Sequence, residues 1–157
     1  MLLFKCCKPL YTRLRYFNTF GEVLRFRKKE KDIHEKLFWL SVFWRDPLIS
    51  VCADKYRVRE YIKTRGCGDM LNELYQVADS FDKVDFDALP NGFVMKSNKG
   101  SGDNFFCLDK TKLDKPAVNQ LVNTWKSRIY GYETAEYQYA GIPFKLILEK
   151  YLSGGGN

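Results

Sequence analysis

The sequence has few of the residues that most often form metal centres and nucleophile–base pairs. Among 157 residues there is one histidine, His34, and there are five cysteines, none of them in a C-x-x-C arrangement. The cysteines are Cys6, Cys7, Cys52, Cys67 and Cys107. Zinc sites and most cysteine-based or histidine-based centres need closer spacing or more partners than this. A scattered, odd set of cysteines instead indicates reduced thiols and a cytoplasmic protein.

Long hydrophobic runs are also missing. No stretch approaches the ~20 apolar residues of a membrane-spanning helix. The apolar start of the chain is too short for the core of a signal peptide, because Lys5 interrupts it. Hydrophobic residues nevertheless make up 45% of the chain and aromatic residues 16%, which is enough for a folded core. We therefore expect a folded protein that is soluble or bound to a membrane from one side.

Positive charge is concentrated at one end of the sequence. Residues 1–30 contain eight lysines and arginines and two glutamates, a net charge of +6 out of +7 for the whole chain. Leu10, Leu14 and Phe17 have helical spacing, so we predict a basic amphipathic arm over residues 1–30. Such an arm favours peripheral contact with an anionic membrane at its inner face. The alternatives are a solvated helix without a partner and, less expected, a contact with nucleic acid.

Three helices are predicted from residue 31 onward. The first begins at Asp32, with Glu35 completing a capping box, and ends near Trp44. The second runs from Asp54 to Arg65, and the third begins at Asp114. In the first and third helices, apolar residues recur on one face that we expect to pack in the core. These residues are Ile33, Leu37, Leu40 and Trp44, and then Val118, Leu121, Val122, Trp125 and Ile129.

Strands are predicted between and after these helices. Runs of β-forming residues lie at 74–78, 93–95, 105–107 and 143–152. A short helical turn is expected at Ser80–Val84. The mixture of helices with mainly antiparallel strands is typical of an α+β fold.

The second and third predicted strands are joined by a loop suited to bind an anion. Gly100 and Gly102 can adopt positive φ, and a loop built in this way turns several backbone N–H groups to one side. Lys96 precedes the loop and Lys99 lies within it. The G-x-x-x-x-G-K-[ST] spacing of a P-loop is absent. The pattern fits the phosphates of a nucleotide, and the alternative is an ordinary hairpin with a basic tip.

Several segments taken in order are similar to those of a known family. They are Ile33–Leu40, Asp54–Tyr61, Asp79–Phe81, Asp85–Pro90, Phe93–Asn104 and Leu148–Leu152. Over residues 31–152 the chain resembles the N-terminal part of the TupA-like ATP-grasp family of bacterial polysaccharide biosynthesis. The resemblance implies a fold that holds ATP between two α+β subdomains, of which this chain contains the N-terminal helices and the first subdomain.

The resemblance also implies roles for individual residues. Lys96 would contact the α- and β-phosphates of ATP, with Lys55 as a further phosphate-binding lysine. Gly100, Ser101 and Gly102 would form a lid over the β- and γ-phosphates. Lys99 lies in this lid, where relatives carry histidine or another residue. The hinge beside adenine would be formed by Glu149, Lys150, Tyr151 and Leu152.

The same resemblance implies an amide-forming ligase that uses ATP and Mg²⁺ and joins a carboxylate to an amine on a cell-surface polymer precursor. The Mg²⁺ ligands are expected in a second subdomain after the glycine-rich end at residues 153–157, so we expect this chain alone to be inactive. One alternative is a glycosyltransferase of capsule or exopolysaccharide synthesis, for which Asp85-Phe86-Asp87 supplies a D-x-D string. Another is a non-catalytic remnant.

Overall fold

A computed structural model describes residues 7–26, 32–132 and 134–152, and these residues form two compact units. The first unit comprises the described residues up to Ser50 together with Ile129–Gly141. The second comprises Val51–Arg128 together with the described residues from Ile142 onward. Cys6, both ends of the predicted arm and the predicted tail at 153–157 lie outside the described residues.

The second unit is built on a four-stranded sheet. Its neighbouring strands are all antiparallel, in the spatial order β1-β4-β2-β3. The strands are β1 (Leu74–Ala78), β2 (Phe93–Ser97), β3 (Asn104–Cys107) and β4 (Leu146–Lys150). The predicted α+β class with an antiparallel sheet is confirmed. The last strand of the described residues, β4, lies inside the sheet, and its Leu146, Ile147 and Leu148 have no exposed surface.

A helix covers the core of this sheet. Helix α5 (Lys115–Ser127) begins where the Asp114 carboxylate accepts the N–H of Ala117 at 3.0 Å, the capping that its sequence predicts. Its residues Val118, Val122 and Trp125 are buried with Phe93, Met95 and Leu148. Leu121, predicted to face the core, is instead 39% exposed, and Ile129 lies beyond the end of the helix.

Two further helices precede the sheet. They are α3 (Pro47–Ala53) and α4 (Arg57–Thr64). The carboxylate of buried Asp54 accepts the N–H groups of Tyr56 at 2.9 Å and Arg57 at 3.3 Å, so it satisfies the first free donors of α4. Gly66 follows the helix with a φ of 77°, a conformation in which glycine avoids a steric penalty.

The first unit contains two packed helices. They are α1 (Lys8–Phe20) and α2 (Ile33–Phe43). The rings of Tyr16 and Phe38 meet edge to face with centroids 5.3 Å apart, and Phe20 packs on His34 at 4.9 Å. Asp32 caps α2 by accepting the N–H of His34 at 2.6 Å. None of the described helices combines the length and the apolarity that crossing a bilayer requires.

The core-facing stripe predicted for α2 is wrong. Ile33 is 62% exposed, Leu37 54% and Trp44 50%, whereas Val42 is buried. The helix packs through the side that carries His34, Phe38 and Val42, because that side meets the aromatic rings of α1 and the segment 129–141.

Leu37, Leu40 and Trp44 instead line an open cavity of about 660 Å³ within the first unit. The hydroxyl of Thr134, which lines the same cavity, is buried without a partner among the described residues.

Candidate functional site

The glycine loop connects β2 to β3. Gly100 and Gly102 have φ values of 77° and 83°, so both glycines adopt the positive φ that is open to them. The two sides of the loop are joined where the N–H of Ser97 donates to the carbonyl of Asp103 at 3.1 Å. At the tip, Ser101 and Gly102 are exposed, whereas Gly100 is buried.

The backbone donors of the loop divide into two groups. The N–H groups of Ser97, Asn98 and Lys99 donate to protein oxygens. Within the described residues, the N–H groups of Gly100, Ser101 and Gly102 donate no hydrogen bond. Successive backbone N–H groups near glycines of positive φ are a common way to hold a phosphate oxygen. The predicted lid therefore carries three consecutive donors that a bound anion can use.

Asn98 fixes the base of this loop. Its side chain is fully buried, and its Oδ1 accepts the N–H of Lys145 at 2.8 Å. Its Nδ2 donates to the Asp54 carboxylate at 3.1 Å and to the carbonyl of Pro143 at 3.0 Å. One amide therefore connects the loop to the start of α4 and to the segment before β4. Sequence analysis did not identify this role, because it depends on three segments distant in the chain.

Lys55 contacts the loop directly. Its Nζ donates to the carbonyl of Gly100 at 2.6 Å and to that of Ser97 at 3.2 Å, while its backbone N–H donates to the carbonyl of Asn98 at 2.9 Å. Burial lowers the pKa of the Lys55 ammonium, and the nearby charge of Lys96 acts in the same direction. The predicted phosphate lysine thus lies at the loop and holds its backbone in the present conformation.

Lys96 and Glu149 meet on one face of the sheet. Val94 pairs with Glu149 and Lys96 pairs with Ile147, so Lys96 and Glu149 are diagonal neighbours on adjacent strands. The Nζ of Lys96 lies 2.7 Å from Oε2 of Glu149. The other oxygen of this buried carboxylate accepts a hydrogen bond from the Arg59 guanidinium at 2.9 Å. Two cations around one carboxylate leave one positive charge uncompensated within this trio.

Asp103 carries a second charge pair at the end of the loop. Its carboxylate is 4% exposed and is bonded to the Arg128 guanidinium. Burial raises the pKa of Asp103, and the positive charges of Arg128, Lys55 and Lys99 oppose that rise. Lys99 thus lies close enough to this carboxylate to influence its charge, in addition to its place in the predicted lid.

The predicted hinge residues are only partly brought to this cluster. Glu149 belongs to it, but Lys150 follows on β4 and points to the other face of the sheet. The backbone of Lys150 is paired with Glu73 and Asn72, and its Nζ lies 3.5 Å from the Glu73 carboxylate. Tyr151 packs against Phe106 with ring centroids 6.2 Å apart. Leu152 is 66% exposed.

Sequence analysis missed Arg59 and Arg128 as members of the cluster. Arg59 lies four residues after Lys55, a spacing that places side chains near each other on a helical segment and is a signal that could have been used. Arg128 follows the end of α5 and carries no comparable sequence signal. Its pairing with Asp103 depends on tertiary packing.

The described residues do not form a Mg²⁺ site. Within residues 7–26, 32–132 and 134–152 there is no group of three or more acidic, histidine or cysteine side chains placed to hold a metal ion. Glu149 and Asp103 are each bonded to cationic side chains. In the D-x-D string, the Asp85 carboxylate accepts the N–H groups of Asp87 at 3.0 Å and Ala88 at 3.2 Å, so it stabilises its own turn.

Comparison with known proteins gives one clear relationship. The family model described as TupA-like ATPgrasp matches residues 35–155, most of the chain. Comparison with curated proteins and with solved structures gives no match. The matched range includes the glycine loop, Lys55, Lys96 and Glu149, which the structure brings together in the second unit. The chain therefore belongs to the TupA-like ATP-grasp family.

Proposed function

We propose that the glycine loop binds the phosphates of ATP and that the chain is the nucleotide-binding part of an amide-forming ATP-grasp ligase. The observation that carries this proposal is the arrangement at residues 100–102, where three consecutive N–H groups have no acceptor within the described part of the chain. Lys55 contacts the loop, and Lys96, which precedes it in the chain, shares the Glu149 carboxylate with Arg59. ATP-grasp proteins in general bind ATP and Mg²⁺, and such a set of donors and cations suits a polyphosphate.

The proposal assigns a role to each part of the cluster. Lys96 contacts the α- and β-phosphates. To do so, its ammonium must either break its ion pair with Glu149 or bind the phosphates and Glu149 together. Gly100, Ser101 and Gly102 cover the β- and γ-phosphates, with Lys99 adding positive charge. Lys55 keeps the loop backbone in place and has a third N–H for a phosphate oxygen. Glu149, Lys150, Tyr151 and Leu152 lie beside adenine.

The reaction proposed is a carboxylate–amine ligation. An oxygen of the carboxylate substrate attacks the γ-phosphorus of ATP, the bond to the bridging oxygen breaks, and ADP leaves. The nitrogen of the amine then attacks the acyl carbon and loses a proton, and phosphate leaves as the amide forms. The proposed substrates are groups on a cell-surface polymer precursor, and the proposed location is the cytoplasm at the inner face of the membrane. We expect the chain to bind nucleotide through this loop.

The proposal is tested by nucleotide affinity. Isothermal titration with a non-hydrolysable ATP analogue should show about ten- to a hundredfold weaker binding by Lys96→Met, because a charge-assisted contact to phosphate is lost. The matched control is Lys112→Met. This lysine is 82% exposed and also pairs with a carboxylate, that of Asp109 at 3.3 Å.

Two outcomes would overturn the proposal. One is unchanged affinity in a Lys96→Met protein whose circular dichroism and melting temperature match the parent. The other is a sugar nucleotide that binds more tightly than the ATP analogue and loses that affinity in Asp85→Asn. The second result would favour the glycosyltransferase.

A further inference from the structure

Helix α1 carries a row of apolar side chains that points away from the first unit. Leu10 is 45% exposed, Leu14 48% and Phe17 51%. Positions four and three residues apart lie on one face of a helix, so the three side chains form a continuous row. The buried residues of α1, Thr12 and Tyr16, lie on the opposite face, where they meet Tyr137 and Phe38.

All charged side chains of α1 are cationic. The helix contains Lys8, Arg13 and Arg15 and has no aspartate or glutamate anywhere between Lys8 and Phe20. Arg13 stands one position before Leu14, with its guanidinium over the ring of Phe26 at 5.1 Å. Arg13 and Arg15 lie about 100° to either side of Leu14 around the helix axis. An apolar row with cations on its flanks matches a surface that is apolar inside and anionic outside. A nucleic acid would use the cations and leave the apolar row in water.

The dimensions of α1 indicate how it would meet such a surface. Thirteen residues span about 20 Å at 1.5 Å per residue, which is less than the ~30 Å of a bilayer core. The buried face of α1 is held by the first unit, so only the outer face is available. The helix can therefore lie in the plane of the surface with its apolar row inserted at the level of the headgroups.

We propose that α1 binds the surface of an anionic phospholipid bilayer, with Leu10, Leu14 and Phe17 inserted and Arg13 and Arg15 at the headgroup phosphates. This inference is independent of the nucleotide site, because every residue it uses belongs to the first unit. It gives the chain a membrane contact that does not require a spanning segment.

The test measures partitioning of the full chain onto vesicles by flotation. One set contains phosphatidylglycerol mixed with phosphatidylcholine, and the other contains phosphatidylcholine alone. We expect binding to the anionic vesicles that falls at least about tenfold in Leu14→Glu, since the inserted apolar surface is lost. Phe17→Gln is a second variant that introduces no charge, and it should also weaken binding to the anionic vesicles. Met70→Glu is the control, because Met70 is 79% exposed in the second unit and should bind like the parent.

The charge contribution is measured separately. Each of Arg13→Gln and Arg15→Gln should lower partitioning about fivefold at low salt, with a smaller effect at high salt. The proposal is overturned if anionic vesicles do not float the parent protein, or if Leu14→Glu and Phe17→Gln bind like the parent. It is also overturned if Leu14→Glu abolishes a concentration-dependent dimer detected by light scattering while vesicle binding is unchanged, since the row would then bind a second copy.

Discussion

At the scale of single residues, Glu149 controls the charge on the face of the sheet beside the glycine loop. It is the shared partner of Lys96 and Arg59, and its side chain is only 9% exposed. Removing its charge leaves two cations close together, with less solvent to screen them than at the surface. The carboxylate therefore holds both cations at this face of the sheet.

We expect Glu149→Gln to lower the free energy of unfolding by about 2 kcal/mol, because partly buried cations lose their counter-charge. The free energy is measured by urea denaturation. Glu73→Gln is the matched control, since Glu73 pairs with Lys150 on the surface and is 58% exposed. It should change stability by less than about 0.5 kcal/mol. Equal effects of the two substitutions on the free energy of unfolding would show that Glu149 stabilises the fold no more than a surface ion pair does.

Asp103 and Asp79 should respond to pH in opposite directions. Burial raises the pKa of Asp103 above its usual 3.8, so its contribution favours the folded state at low pH and is lost as the pH rises through the raised pKa. The hydrogen bond from Lys145 lowers the pKa of Asp79, so its contribution is present above pH 3.8 and is lost as the pH falls.

Urea denaturation at several pH values from 3 to 7 checks this prediction. Relative to the parent, Asp103→Asn should gain stability as the pH rises, and Asp79→Asn should lose it. A pH slope of the same sign for both variants would contradict the assignment of burial as the dominant influence on Asp103.

Residues of the candidate site differed in how far the sequence revealed them. Lys96, Gly100 and Gly102 lie in one local strand–loop–strand pattern, and the structure confirms that pattern. Arg59 and Asn98 act on partners far along the chain, Glu149 and Pro143. Their roles follow from strand register and packing, which local periodicity does not specify.

At the scale of elements, the glycine loop depends on a backbone conformation that other residues adopt only with strain. A Cβ at Gly102 would meet no atom within 4 Å, so the cost of an alanine there comes from its φ of 83°. Gly141 has the same open surroundings and a φ of 85°. The two glycines are therefore a matched pair, one in the loop and one in the first unit.

We predict that Gly102→Ala and Gly141→Ala each lower the free energy of unfolding by about 1 kcal/mol. Only Gly102→Ala should weaken binding of the ATP analogue, because it alone changes the path of the donors at residues 100–102. Thermal melting and isothermal titration measure the two effects. If Gly102→Ala bound the analogue like the parent, the loop would not be the phosphate site.

The helices show what periodicity does and does not determine. The pattern in residues 32–44 predicted α2 within one or two residues, because capping and spacing are local properties. It did not predict that Leu37 and Trp44 line a cavity while Val42 is buried. Which face becomes buried depends on the elements that a helix meets, here α1 and the segment 129–141.

At the scale of the whole molecule, each of the two units has its own buried cluster. Val42 is 2% exposed in the first unit, and Val122 is 1% exposed in the second. The same substitution can therefore be made in each cluster at nearly equal burial. Val→Ala at such a site removes about 2 kcal/mol of stability.

Hydrogen exchange followed by mass spectrometry tests whether the clusters are independent. Val122→Ala should accelerate exchange in β1, β2 and β4, and Val42→Ala should accelerate it in α1 and α2. Each substitution should leave the exchange rates in the elements of the other unit near those of the parent, since local opening is confined to one cooperative unit. Acceleration of both sets by either substitution would show that the two units unfold as one.

The position of β4 inside the sheet has a consequence for synthesis on the ribosome. Strands β1 and β4 are neighbours in the sheet, but β2, β3 and α5 are translated between them. Until residues 146–150 leave the exit tunnel, the nascent chain can form the β2–β3 hairpin, while β1 has no partner and its backbone edge stays open. An unpaired edge is prone to association with other chains. During this interval a chaperone would protect β1 more than the glycine loop. The ion pairs of Lys96 and Arg59 with Glu149 also form only after β4 has emerged.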